Sequence, residues 1–288
     1  MRFRNNVIAA LVAVGALGAA NNSRADFLEG IQVPKKHNAQ MQIDARHSQA
    51  DKFTDKNGNK ISIDNEVETV NATLKLKGIK EVLGTDIPYF LSANAPFISI
   101  TNNKTGQHAQ GLGDASIDVG FHNTYNLGKR ASLSGVATVG AKLPTGNYDQ
   151  KSKMNLGTGT TDYSIATRLT ALLDGGRYSL DGRAGYTIRE GDVPDRTELS
   201  LTSGIEAYKG RLGSFRIGPE ITWQHGSDLE KVTGRIIGRF TDKDSNQIQV
   251  YAGQDISERN APESISAGVT VRFSPKIAAN YLKNIFSH

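Results

Sequence analysis

Residues 264–273 read Ser-Ile-Ser-Ala-Gly-Val-Thr-Val-Arg-Phe. Apolar residues occupy every second position from Ile265 to Phe273, and small or polar residues, the last of them Arg272, stand between them. A period of two is typical of a β-strand whose two faces meet different environments. This stretch therefore predicts a strand with one apolar face and one polar face.

The same alternation recurs along most of the chain. Most of the candidate strands are 10 to 13 residues long, whereas an ordinary globular strand has about 5–6 residues. The greater length suits a tilted strand that crosses a membrane. The twelve predicted strands are 40–47, 69–78, 89–100, 114–125, 131–143, 163–173, 178–189, 197–208, 214–224, 231–241, 247–256 and 264–273.

The connections between these strands alternate in length. The odd connections have 21, 13, 19, 7, 6 and 7 residues, and the even ones have 10, 5, 4, 5 and 5. An even strand count, with short turns at one end and longer loops at the other, is typical of an outer-membrane barrel with periplasmic termini. The fold class predicted for residues 26–273 is therefore all-β, an antiparallel transmembrane β-barrel of about twelve strands.

A periplasmic β-sandwich would show the same alternation, with its apolar faces turned inward. Lipid offers the backbone no hydrogen-bond partner, so a sheet in a membrane must close on itself. Aromatic residues recur near the strand ends, as interfacial girdles require. Strand length and aromatic placement favour the barrel, and the sandwich stays open as an alternative.

Both ends of the chain differ from the barrel region. Residues 1–25 predict a secretory signal peptide, with Arg2 and Arg4 before an apolar stretch and a small-residue cleavage site. After Phe273, apolar residues recur at helical spacing from Ile277 to Phe286. Residues 274–288 therefore predict a periplasmic tail with a short helix.

Composition narrows the possible partners. The chain has no cysteine, which excludes disulfides, thiolate metal sites and a lipid-bearing N-terminal cysteine. Without the three arginines of the signal peptide, 31 basic residues face 29 acidic ones, a net charge of +2. A charge this small favours no nucleic-acid partner.

Charged residues fall on the polar face of the predicted strands. A charge inside a barrel is costly unless it is paired or hydrated. Two readings stay open: a salt-bridge network that fills the lumen, or a pore whose arginine excess favours anionic and carboxylate-bearing solutes. The candidate pore-lining residues are Lys142, Arg168, Arg183, Glu206, Arg216, Glu220, Arg235, Arg239 and Arg272.

Catalytic and metal motifs are weak. No two of the six histidines have the spacing of a known zinc motif, so a metal site would need contacts between distant parts of the chain. We expect the protein to bind no cofactor and no metal and to have no enzymatic activity. A lipid hydrolase stays open as an alternative, and it would need a serine beside a histidine such as His122. The glycine-rich residues 155–162 predict a loop at the pore mouth rather than a phosphate cradle.

Three pieces carry a family resemblance: Gly-Leu-Gly-Asp at 111–114, Lys-Leu-Pro-Thr-Gly at 142–146 and Asn-Leu-Gly-Thr-Gly-Thr-Thr-Asp at 155–162. In order and spacing they resemble the exported MetA-pathway of phenol degradation family. The resemblance implies an outer-membrane transporter linked to catabolism of aromatic or other hydrophobic compounds. Family members commonly end at the aromatic residue that closes the last strand, which is Phe273 here. Fifteen residues follow it, so the signal for the barrel-assembly machinery would be internal.

The function expected from these observations is passive uptake of small molecules through a channel in the outer membrane. Its partners would be outer-membrane lipid, a small solute and, during biogenesis, the barrel-assembly machinery. The alternatives are an outer-membrane lipid hydrolase and a structural or binding β protein of the periplasm.

Overall fold

The computed structural model describes residues 37–55, 57–82, 85–146, 155–190, 195–227, 229–243 and 245–273. Almost all of these residues are in β-strands, and a single turn of 3-10 helix spans Asp174–Gly176. The strands are β1 (His37–Thr54), β2 (Lys60–Val82), β3 (Thr85–Asn102), β4 (Gln107–Leu112), β5 (Ala115–Asn126), β6 (Ser132–Leu143), β7 (Asp162–Leu173), β8 (Tyr178–Arg189), β9 (Arg196–Gly210), β10 (Gly213–Gly226), β11 (Glu230–Asp242), β12 (Gln247–Arg259) and β13 (Ala261–Phe273).

These strands form one closed antiparallel sheet. The first strand, β1, pairs with the last, β13, and the strands β1 to β3 and β5 to β13 pair in chain order. Strand β3 pairs with β4 through Phe97–Asn102 and with β5 through Tyr89–Asn94. Strands β4 and β5 are therefore two parts of one crossing, and the barrel has twelve strands. A single closed sheet rules out the sandwich alternative.

The two faces of the sheet meet different surroundings. On β11, Ile236 is 55% exposed on the outer face, whereas Ile237 is buried on the inner face. Exposed leucine, isoleucine and valine side chains alternate with inward polar residues on β5 to β13. A wall of exposed aliphatic side chains around a closed ladder is the surface that a bilayer stabilises. The chain lies in the outer membrane, as predicted.

Aromatic side chains mark the two ends of the apolar band. Toward the periplasmic ends of the strands, Phe215 is the register partner of both Tyr208 and Phe240. Toward the outer ends, Tyr163 is 57% exposed, and Trp223 stacks on His225 with the ring centroids 5.2 Å apart. Aromatic rings at both boundaries are the girdles that the sequence predicted.

Nine of the predicted strands agree with the structure closely, and 178–189 is matched at both ends by β8. The first three were predicted too short, since β1 has 18 residues and β2 has 23. The predicted connections of 21 and 13 residues are therefore wrong: β2 begins at Lys60, soon after β1 ends at Thr54, and the end of β3 together with β4 occupies most of 101–113. We call the parts of β1, β2 and β3 that lie beyond the predicted strands, toward the outer end of the barrel, the outer extensions. Polar residues occupy both of their faces, so no alternation of apolar and polar residues marks them.

The predicted signal peptide at 1–25 lies outside the described residues. The helical tail predicted for 274–288 also lies outside them, and nothing in the described structure supports it. Among the residues that are described, no helix is long and apolar enough to cross a bilayer.

Candidate functional site: the charged inner face

The inner face of the barrel brings together charged residues from strands that are far apart around the sheet. One cavity of about 300 Å³ is lined by residues of β1, β2, β10, β11, β12 and β13. Since β2 and β11 are not neighbours in the sheet, their side chains can share a cavity only inside the barrel. The face that carries them is therefore the lumen face.

Of the residues predicted to line the pore, Glu220 and Arg235 line this cavity, and most of the set have a partner of opposite charge. In five ion pairs, a side-chain nitrogen of the predicted lysine or arginine lies within 4 Å of a carboxylate oxygen on a neighbouring strand. The pairs are Lys142–Asp162 (2.5 Å), Arg168–Asp181 (2.7 Å), Arg183–Glu198 (3.7 Å), Arg216–Glu206 (4.0 Å) and Arg235–Glu220 (3.0 Å).

The remaining two arginines donate hydrogen bonds to side-chain amides. Arg239 donates from Nε and Nη2 to the side-chain oxygen of Gln249, at 3.1 and 2.9 Å. Arg272 donates to Gln42 on β1 and to Gln247 on β12. Through these bonds Arg272 joins β13 to both of its neighbouring strands.

The cavity contains charged residues that the sequence argument missed. It is lined by Asp44 and Arg46 of β1 as well as by Glu220 and Arg235. The buried Nε atoms of Arg46 and Arg235 have no acceptor among the described residues. The sequence does contain a signal for these residues: polar Gln42, Asp44 and Arg46 alternate with apolar residues from Met41 to Ala45. This alternation puts Asp44 and Arg46 on the polar face of the strand.

An aromatic side chain packs against the inner face on another wall. Phe90 of β3 points inward and is only 5% exposed. It lies over Gly120 of β5, where an added Cβ atom would overlap the ring. The missing side chain at Gly120 is therefore what allows Phe90 to pack flat against the wall.

The glycine-rich loop folds against inward residues at the outer end, as expected. The backbone nitrogen and hydroxyl of Thr158 donate to Asp114 Oδ2 at 2.7 and 2.8 Å. Gly146 N donates to the other oxygen of the same carboxylate at 3.0 Å. Lys142 Nζ lies 3.0 Å from the Thr158 hydroxyl. Asp114 thus ties this loop to the mouth of the barrel.

A buried ion pair holds β11, β12 and β13 together. Lys231 Nζ lies 2.7 Å from Asp255 Oδ2, and the carboxylate side chain is 1% exposed. The same carboxylate accepts hydrogen bonds from Thr233 and Ser264. The regular β12–β13 ladder ends at Gln254. Beyond it, the Asp255 carboxylate accepts the hydrogen bond from the next backbone donor, Ser264 N.

Outside the strands, hydrogen bonds lower the pKa of the carboxyl group of Asp195 at the rim. Asp195 accepts a hydrogen bond from the Tyr186 hydroxyl at 2.6 Å and another from Arg189 N at 3.0 Å. These two bonds favour the ionised form and lower the pKa of Asp195 from its ordinary value.

The geometry of His122 differs from what a hydrolase needs. His122 is half-buried on the inner face, and among the described residues it forms no hydrogen bond to a serine or a carboxylate. A hydrolase acting on lipid would need an activated nucleophile beside it on the outer face.

Comparison with known proteins identifies the family. The model of the family described as “Putative MetA-pathway of phenol degradation” matches residues 50–285. No curated protein matches the sequence.

One solved structure shares the fold, and a second resembles it more weakly. An outer membrane channel from Pseudomonas putida F1, described as COG4313, is 19% identical with a TM-score of 0.65; the match covers 87% of this chain and all of that one. The KdgM porin, solved with disordered oligogalacturonate, is 12% identical with a TM-score of 0.45; the match covers 81% of this chain and 98% of that one. At 19% identity the likeness to the Pseudomonas putida channel concerns the fold alone.

Proposed function

This chain belongs to the family of the MetA pathway of phenol degradation, and from that premise we propose that it is a passive channel for small solutes across the outer membrane. Solutes would cross through the lumen, down their concentration gradients. Energy coupling is not required, because a gradient alone drives net flux through an open path.

The observation that carries the proposal is the polar cavity between β2 and β11. Its lining combines Arg46 and Arg235 with Asp44 and Glu220. Paired charges keep such a lumen hydrated without leaving isolated charges in a dry interior. A hydrated, laterally closed interior is the physical requirement for passage of water-soluble molecules.

The arginines indicate the solute class. Among the residues that the structure describes, the buried guanidinium Nε atoms of Arg46 and Arg235 have no hydrogen-bond acceptor. A guanidinium fork fits a carboxylate through two hydrogen bonds. We propose that the channel prefers small anionic solutes, including aromatic carboxylates.

The test is planar-bilayer conductance of the refolded mature chain, with the reversal potential measured under a salt gradient. We expect discrete steps and anion preference. Replacing Arg46 with glutamine should shift the reversal potential toward cation preference. The matched control is Lys52→Gln, which removes one positive charge from an exposed side chain at the outer end of the same strand. Silence from barrels shown to be folded by heat-modifiable gel mobility would overturn the proposal.

The ends of the chain bear on biogenesis. We propose that residues 1–25 are removed on export and that the barrel-assembly machinery recognises the last strand through Phe273. Phe273 lies at the end of β13, opposite Met41, so it would be the aromatic residue presented as the barrel closes. Residues 274–288 would then follow on the periplasmic side.

A further inference from the structure

Three potential metal ligands meet on the outer face of β1 and β2. His47 of β1 is the register partner of Glu68 of β2, and Glu66 lies two residues further along β2 on the same face. One ligand atom from each residue lies within 4.8 Å of the other two. His47 Nδ1 and Glu66 Oε1 are 3.5 Å apart.

The cluster lies beyond the apolar band, toward the outer rim. The positions nearer the periplasm on the same face are Ala45 and Val70, which belong to the band. His47 and Glu66 are 44% and 39% exposed. Water and ions outside the membrane can therefore reach the cluster, which an equivalent cluster within the band would not allow.

The charge balance of the cluster is unlike that of the inner face. Asp162, Asp181 and Asp255 each pair with a lysine or arginine. Within the described chain, neither Glu66 nor Glu68 has a lysine or arginine partner, and the nearest basic group to Glu66 is the His47 ring. Two carboxylates at alternate positions of one strand repel each other unless a cation lies between them.

We propose that His47, Glu66 and Glu68 bind one divalent transition-metal ion of the Zn²⁺ class. Such ions bind imidazole nitrogen and carboxylate oxygen at about 2.0–2.2 Å, so small rotations of exposed side chains suffice to bring these atoms into place. The nitrogen ligand favours a transition metal over Mg²⁺ or Ca²⁺, which prefer all-oxygen sites. Three protein ligands leave at least one position for water.

The ion would join β1 to β2 near the strand that closes the barrel. Nineteen positions separate His47 from Glu66, so no sequence motif marks the site and only the register of β1 on β2 creates it. The site is independent of the proposed transport, because it lies on the other side of the wall from the lumen.

The test uses the metal-stripped full barrel in detergent and Zn²⁺ as the probe, with isothermal titration calorimetry. We expect a site that His47→Gln and Glu68→Gln each weaken by about tenfold or more. The matched control is His108→Gln: His108 is exposed on the same face of β4, but its ring nitrogens contact Thr101 and Gln110. Its loss should leave the affinity unchanged.

A second measurement identifies the ligands directly. Co²⁺ in place of Zn²⁺ should give a visible absorption band that disappears in His47→Gln and persists in His108→Gln. Equal Zn²⁺ affinity in the native chain and His47→Gln would overturn the proposal, as would displacement of Zn²⁺ by equimolar Mg²⁺. Heat-modifiable mobility of every variant ensures that a lost site is not an unfolded barrel.

Discussion

The ammonium nitrogen of Lys75 lies 3.5 Å from the centroid of the Phe90 ring on the inner face of the barrel. A cation over the face of an aromatic ring is attracted by the negative charge density of that face. Gly120 leaves room behind the ring. The lumen wall therefore carries an aromatic group with the side-chain nitrogen of Lys75 over its face.

Removal of this ring should widen the lumen. We expect Phe90→Ala to raise single-channel conductance, because the path loses a large fixed side chain while β3 keeps its backbone ladder. Leu91→Ala is the control, since Leu91 is 41% exposed on the outer face. Conductance steps in planar bilayers provide the measurement, and equal steps for the two variants would mean that Phe90 does not border the path.

Adjacent residues of β11 should respond oppositely to substitution. Ile236→Arg puts a charge into the apolar band, and we expect it to cost about 2–4 kcal/mol and to impair assembly. Arg235→Ala, one residue away on the inner face, should fold and change ion selectivity. Folded fraction by gel mobility and reversal potential measure the two effects; the same phenotype in both variants would contradict the assigned faces.

The buried carboxylate of Asp255 should contribute strongly to stability. Asp255→Ala leaves the ammonium of Lys231 without its 2.7 Å partner, and we expect a loss of about 3–5 kcal/mol in the free energy of unfolding. Denaturant unfolding in detergent measures it. Asp51→Ala, which removes an exposed carboxylate from β1, should change stability by less than about 0.5 kcal/mol. A loss equally small for Asp255→Ala would rule out a structural role for that ion pair.

The loop at the mouth should be released when Asp114 loses its charge. Asp114→Asn weakens the hydrogen bonds from Thr158 and Gly146, because a neutral amide oxygen is a weaker acceptor than a carboxylate. We expect trypsin to cleave after Lys151 or Lys153 faster than in the native chain, and open-channel current noise to rise. Asp174→Asn, at the opposite end of the barrel, is the control, and matching cleavage rates in the two variants would contradict the tether.

The sequence predicts the membrane-spanning part of the fold well and the part outside it poorly. Strand β8 was predicted at both ends because lipid and lumen impose opposite polarity on successive residues. The outer halves of β1 and β2 meet water on their outer side, so Gln49 and Glu66 replace the apolar residues that would reveal a strand. Hydrogen bonding continues there without a signal in side-chain polarity.

For the candidate site, the sequence predicts the face on which a residue lies but not the partner that it contacts. Alternation alone predicts that Arg168 and Arg235 face inward, and Arg235 is among the residues that line the cavity. Their partners, Asp181 and Glu220, depend on the register between strands, which polarity does not specify to the residue. Arg46 follows the same alternation within the first predicted strand, but its place in the cavity depends on the pairing of β1 with β13, which polarity does not specify.

The outer extensions of β1, β2 and β3 have a consequence for the entropy of solute entry. Along these strands the rim is a hydrogen-bonded wall that ends in short turns, and Gly146 and Thr158, on either side of the connection between β6 and β7, both bind Asp114. A solute that arrives over β1, β2 and β3 meets paired backbone that it need not order or displace. Entry along this side should therefore cost little conformational free energy, and its rate there should follow the size and charge of the solute rather than the timescale of loop motion.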